Sequence, residues 1–181
     1  MPITEFINKL YPLPPGNILE AARKLYYRDL LVVNLICADK NVFPDNWIYV
    51  HSPEVKVSRI QNYKNWSPAV IPDLEKTTLG LEYFCSVEDD LWKKEDKEIE
   101  GMAAGELKYL GFNTTIEDSF VCRVPQAYPI YTLGYRERAG VLKAYLDHFS
   151  NLALIGRAGR FRYDNMDSAI ASGIDVAKGI I

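Results

Sequence analysis

Asn151-Leu152-Ala153-Leu154-Ile155-Gly156-Arg157-Ala158-Gly159-Arg160-Phe161-Arg162-Tyr163-Asp164-Asn165-Met166-Asp167-Ser168 precedes a largely apolar stretch that runs to Ile181. This order predicts a short buried strand, a Gly-Arg-x-Gly turn, a polar aromatic loop and a final helix opened by Asp164 and Asn165. That helix is expected to bury Ile170, Ile174, Ala177 and Ile181 on one face. The pattern suits a cradle for an anionic or electron-rich ligand. Glycine lets backbone approach closely, Arg157 offers a bidentate fork, and a helix start presents unpaired N–H groups at the positive end of its dipole. A glycine between strand and helix also serves in many domains only to make the turn. The charge content favours a ligand: Arg157, Arg160, Arg162, Asp164, Asn165 and Asp167 crowd between two apolar segments, more than loop solubility requires.

The rest of the chain predicts one α+β core. At 181 residues, 48% hydrophobic and 25% charged, it is long enough to bury a sizeable interior. Asn17 and Glu20 form a capping-box-like start after Pro14-Pro15-Gly16, and Ile18, Ala21, Ala22 and Leu25 share a helical face ending near Tyr27. Leu30 to Cys37 reads as a strand buried on both faces, interrupted only by Asn34, and Trp47–Val50 and Val57–Tyr63 as strands joined around Ser52-Pro53. Leu79, Leu81, Tyr83 and Cys85 alternate as in a half-buried strand. Ile99, Met102, Ala103, Leu107 and Leu110 keep helical spacing up to Gly111. Phe120, Cys122 and Val124 then form a strand, and Val141, Leu142, Tyr145, Leu146 and Phe149 another amphipathic helix. The expected class is a mixed, mainly antiparallel sheet with flanking helices and a C-terminal strand-loop-helix. The expected division is an α+β region over residues 1–150 and a terminal strand-loop-helix over residues 151–181, which the resemblance described below makes a substrate-binding-type region and an FAD-site element.

Several classes are disfavoured. A net charge of -3 argues against nucleic acid, because Arg157, Arg160 and Arg162 form so short a cluster that it serves one phosphate group better than a duplex backbone. The longest apolar run, Leu30 to Ala38, falls far short of the roughly 20 residues a spanning helix needs. Met1 to Leu10 carries Glu5 and Lys9 without the apolar core of a signal peptide, and the cysteine usage considered next suits a cytoplasmic protein. Cys37, Cys85 and Cys122 are widely spaced and predict neither a disulfide framework nor a metal site, but reduced, buried thiols. His51 and His148 stand far apart and receive no chemistry. The charged run Glu88 to Glu100 reads as a solvated loop and helix face.

Gly156-Arg157-Ala158-Gly159 with Arg162-Tyr163-Asp164-Asn165-Met166-Asp167 resembles the carboxy-terminal flavin-binding signature of UDP-galactopyranose mutases and their amine-oxidoreductase and protoporphyrinogen-oxidase-like relatives. Other segments agree in order: Ala21–Asp29, Phe43–Tyr49, Arg59–Pro68 and Ala127–Tyr131. The resemblance runs from about Pro14 to the end. It departs where relatives carry asparagine and this chain has Ala158 and Asp164. The family opens with a Gly-x-Gly-x-x-Gly turn for the dinucleotide pyrophosphate, and no such spacing occurs here. The resemblance therefore implies a carboxy-terminal fragment, or a truncated relative, that holds FAD poorly or not at all without an amino-terminal Rossmann segment.

By this resemblance Gly156 and Arg157 lie against the FAD diphosphate and ribityl chain, and Gly159 and Tyr163 are further cofactor-binding residues. Asn165, Met166, Asp167 and Ser168 approach the isoalloxazine edge. A helix N-terminus favours the negative charge of a reduced flavin by roughly 0.3–1 kcal/mol when exposed, and more when partly buried. Tyr128, held extended by Pro129, is expected to contact flavin or substrate, with a core tyrosine as the alternative. Asn65 and Trp66 offer hydrogen bonds and a ring face suited to a sugar, with a loop anchor as the alternative for Trp66. Arg59 is a candidate for the substrate diphosphate, as are Arg28 and Arg123. The implied parent is an FAD-dependent oxidoreductase or mutase whose small-molecule substrate is a nucleotide sugar. A stand-alone phosphosugar-binding domain without redox chemistry and a purely structural domain are the alternatives. In each ligand-binding case, Gly156 to Ser168 should turn its polar residues toward a cleft.

Overall fold

The computed structural model describes residues 1–180. Two compact units emerge, one of Met1–Arg28 with Gln126–Ile181 and one of Asp29–Pro125. Two long strands contribute residues to both: β1, Tyr26–Cys37, and β5, Ile116–Ile130.

The central unit is built on the sheet. β2 (Trp47–Tyr49), β3 (Arg59–Asn62) and β4 (Thr77–Cys85) join β1 and β5 in the order β2-β3-β4-β1-β5. The β2/β3, β3/β4 and β4/β1 pairs are antiparallel, as the alternating and turn-bounded segments predict. Opposition of Leu31 to Tyr83, Val33 to Leu81 and Leu35 to Leu79 places these six side chains on one face. They pack with Ile60 against Ile99, Ala103 and Leu107 of helix α5, Asp96–Tyr109. Short helical turns α3 (Tyr63–Trp66) and α4 (Asp90–Lys93) and a 3-10 turn at Pro68–Val70 fill the connections.

Gly111 ends α5 with φ +91°. Its N–H bonds to the Lys108 carbonyl at 3.0 Å and that of Phe112 to the Leu107 carbonyl at 3.2 Å. This paired closure needs a left-handed residue, which glycine supplies without a Cβ clash. β4 departs from the half-buried expectation, because Gly80 and Glu82 on its second face are buried as well. Glu82 reaches that position through polar partners described below.

The other unit is helical. α1 (Ile3–Lys9), α2 (Gly16–Arg23) and α6 (Tyr135–Leu146) bury Ile3, Ile7, Ile18, Ala22, Leu142 and Leu146 in one cluster with Leu25 and Phe161. The N-cap of α2 is Pro15 and no side chain caps it, so the Asn17–Glu20 box does not form. The proline pair fixes the entry backbone at that point, leaving Asn17 already inside the helix.

The terminal segment shows two further departures. Residues 152–155 join no ladder; Leu152 and Leu154 pack inward while Ile155 stays half exposed. Helix α8, Met166–Ile180, leaves Met166, Ile170 and Ile174 at 78%, 57% and 48% exposure, and Ala177 is exposed too. The predicted apolar stripe exists, at i, i+4 and i+8, yet among the described residues it has no cover. Ile181 lies outside them. Cys37 and Cys85 are buried free thiols as expected, whereas Cys122 is exposed on β5.

Candidate functional site

The Gly-Arg-x-Gly stretch folds as one helical turn, α7 (Gly156–Gly159). Gly156 has φ +68°, a region side-chain-bearing residues seldom enter, and its N–H donates to Ser172 Oγ at 2.9 Å. That bond ties the turn to α8. A Cβ built on Gly156 or Gly159 meets nothing within 4 Å, so space stands open over both.

α7 closes on Phe161, a bulky residue with φ +48°. The Arg162 N–H bonds back to the Arg157 carbonyl at 3.0 Å and that of Phe161 to Ala158 at 3.4 Å, a closure that normally employs glycine. The left-handed backbone costs a side-chain-bearing residue roughly 1–2 kcal/mol. Burial of the ring, worth about 1.5–3 kcal/mol, offsets it. Phe161 is 3% exposed, edge-on to Tyr27 at 5.1 Å and beside Tyr131 and Tyr135. The core thus holds the loop in a conformation its backbone disfavours.

This anchoring positions Arg157. Its Nε donates to the Asp164 carbonyl at 2.8 Å, and its guanidinium carbon lies 4.7 Å from the Tyr128 ring centroid and 5.0 Å from that of Tyr163. The two rings are near-parallel at 5.4 Å. The Tyr163 N–H in turn donates to the Tyr131 hydroxyl at 2.5 Å. A cation held by two aromatic faces and a carbonyl is pre-organised for an anion. Asn165, Met166, Asp167 and Ser168 are all exposed at the start of α8. Asp164 departs from the expectation of a cleft-facing residue: it is 5% exposed, with Arg162 Nε at 3.2 Å and Arg160 Nη1 at 3.9 Å from its carboxylate.

Tyr128 therefore joins Arg157 and Tyr163 in one unit, while Arg59, Asn65 and Trp66 belong to the other. Asn65 Nδ2 donates to the carbonyls of Phe43 and Asp45 at 3.0 and 2.9 Å, and Trp66 stacks on Trp47 at 4.7 Å. Both rings remain partly exposed. Arg59 sits over Tyr49 at 5.9 Å and binds Glu82 through Nε at 2.8 Å and Nη2 at 2.5 Å. Arg123 is engaged with Asp96 and with the carbonyls of Trp92 and Lys94; Arg28 is exposed.

Sequence reasoning missed the centre of this second group. Glu82, 2% exposed, accepts from Arg59 and also from Gln61 Nε2, while the Tyr63 hydroxyl donates to Asn34 Oδ1 at 2.9 Å. Asn34 Nδ2 reaches Cys122 Sγ at 3.8 Å. Register puts Asn34 opposite Gly80 and Glu82 opposite Arg59, so the network occupies the sheet face opposite the core. Gly80 is required here, because a Cβ would overlap the Tyr63 hydroxyl and lie 2.7 Å from its Cζ. The available signal was one amide inside the apolar run Leu30 to Cys37 and one charged residue between Leu81 and Tyr83.

Burial pushes the Tyr63 phenol from an ordinary value near 10 up to about 12, with the Glu82 charge adding to it, and burial alone lifts Tyr27 to about 12. A raised folded-state pKa gives stability that is complete below pH 10 and disappears as pH rises through 12. Alkaline titration is expected to show phenolate absorbance from these two rings only together with loss of circular dichroism between those values. Full phenolate development with the fold intact near pH 10 contradicts it.

Among the described residues no group of three or more His, Cys, Asp or Glu side chains could hold a metal, and no helix is long and apolar enough to cross a membrane. No family model and no curated protein matches the chain. Solved structures do match. The chain is similar to reduced UDP-galactopyranose mutase at 19% identity and a TM-score of 0.77, over 100% of this chain and 41% of that one. A protein assigned as a protoporphyrinogen oxidase, from Exiguobacterium sp. 255-15, matches at 18% identity and 0.72, over 99% and 39%. Putrescine oxidase bound to putrescine matches at 15% identity and 0.59, over 99% and 41%. At these identities the likeness establishes a shared fold. The chain spans about two fifths of each of those structures.

Proposed function

We propose that the chain is the flavin-side and substrate-side part of a cytoplasmic FAD-dependent oxidoreductase or mutase acting on a nucleotide sugar. Residues 151–181 supply the flavin element and residues 1–150 the substrate-binding-type region. The observation that carries this reading is the Arg157 cation held beside the stacked Tyr128 and Tyr163 rings, in a turn whose two glycines have open space over them. That arrangement fits a diphosphate: the cation meets the charge, and the glycines admit close approach.

An amino-terminal Rossmann segment completes the site in this reading. The uncovered stripe Met166, Ile170 and Ile174 supports it, since an apolar helix face of this length is seldom left to solvent. FAD, when bound, supplies the electron transfer or flavin-centred chemistry. The chain's own residues bind and orient: Arg157 meets the diphosphate, Gly156 and Gly159 admit it, and the α8 start carrying Asn165 to Ser168 favours negative charge at the flavin edge. Tyr128 meets flavin or substrate, and the partly exposed Trp66 ring offers a face to a sugar, whereas Arg59 is taken up by Glu82 and the Asn65 amide N–H groups by the Phe43 and Asp45 carbonyls. The test is to join the chain to its upstream glycine-rich segment and record the absorption spectrum. A yellow protein with a flavin spectrum is expected; a correctly folded, colourless one rejects the proposal.

A further inference from the structure

The three arginines of the terminal signature do not act as one cluster. Arg157 turns to Tyr128 and Tyr163, whereas Arg160 and Arg162 line a different cleft of about 270 Å³ with Lys143, Ile3, Gly140 and Leu154. Neither Arg157 nor the two tyrosines line it. We propose that this cleft binds a phosphate monoester carrying a small apolar group.

Charge supports an anion. Arg160, Arg162 and Lys143 bring three positive charges, and the carboxylates of Asp164 and Asp147 offset two of them, leaving one. Asp164 does not consume either guanidinium in a two-point fork. Arg162 approaches it through Nε alone, Arg160 stands at 3.9 Å, beyond hydrogen-bond reach, and Oδ2 accepts no hydrogen bond among the described residues. The carboxylate orients two forks and leaves their flat edges for tetrahedral oxygens, a geometry guanidinium favours. Lys143 also meets Asp147 at 2.6 Å, but both side chains are more than half exposed and such a pair exchanges readily.

The rest of the wall is apolar. Ile3 and Leu154 offer no hydrogen bond, and Gly140 on α6 leaves room, since a Cβ there meets nothing within 4 Å. The volume lies at the lower edge of ligand cavities, which favours a small body over a nucleotide. A planar carboxylate offers two oxygens to the guanidinium edges and the ammonium, where a phosphate monoester offers three.

Calorimetry on the full 181-residue chain would use butyl phosphate, inorganic phosphate and hexanoate as probes. Butyl phosphate is expected to bind saturably, tighter than inorganic phosphate and than hexanoate. R160A/R162A should weaken it about tenfold or more through loss of the charged bonds. Gly140→Leu fills the cleft without altering charge and is well tolerated in a helix, so it should also abolish binding. Arg157→Ala should leave it unchanged. Absence of saturable binding, no gain from the butyl group, insensitivity to Gly140→Leu, or loss with Arg157→Ala each overturns the proposal. Flavin retention in the joined protein does not enter this test, so the two proposals fail separately.

Discussion

Glu82→Ala is expected to lower the unfolding free energy by about 3 kcal/mol, the lower end of what breaking a buried ion pair costs. The side chain is 3% exposed and that of Arg59 17%, so little water can replace the lost carboxylate. Gln61 loses an acceptor in the same step. Glu82→Gln keeps the shape and one acceptor oxygen and should cost less. The sharper comparison is a double change, Glu82→Leu with Arg59→Met, which removes both desolvated charges and should recover most of the loss. Denaturant titration measures this, provided the slope of the transition is unchanged so that the midpoint reports stability. A loss below about 1 kcal/mol for Glu82→Ala would mean the pair is solvated like a surface bridge.

Arg157→Ala is expected to strip flavin from the joined protein while leaving its fold intact. The change deletes one charged hydrogen-bond donor, worth about 1.5–3 kcal/mol, or roughly 10- to 150-fold in flavin affinity. Stability should change little, because the deleted bond is to a single backbone carbonyl and the Tyr128 and Tyr163 rings can still stack. Arg157→Lys keeps the charge but not the planar stacking, so intermediate retention is expected. Retained colour across a desalting column in Arg157→Ala, with unchanged circular dichroism, would remove Arg157 from the flavin site. Loss of colour together with loss of fold would show that Arg157 is structural.

The elements could be read from spacing wherever one side of the element is apolar. Leu30 to Cys37 and Leu79 to Cys85 carry the core face, and helical spacing from Ile99 to Leu110 with Gly111 set α5 and its end. Among the candidate site residues, Arg157, Tyr163 and Tyr128 come together, although 29 residues separate Tyr128 from Arg157 in the chain. Polar residues on the second sheet face were not readable as a group. Asn34, Gln61, Tyr63, Glu82 and Cys122 meet through strand register, and no local pattern encodes register across distant strands.

The terminal stretch shows the same division. A glycine-bearing cationic loop from Gly156 to Ser168, leading into a helix with an apolar stripe, is legible along the chain, because periodicity and residue chemistry are local properties. What each arginine faces depends on packing between distant segments. The buried Phe161 ring holds the backbone left-handed at φ +48°, sending Arg157 to the tyrosines and Arg160 and Arg162 to Asp164 and a second cleft. Among the described residues the stripe on α8 stays uncovered, since hydrophobic periodicity specifies a face that favours burial but not the surface that buries it.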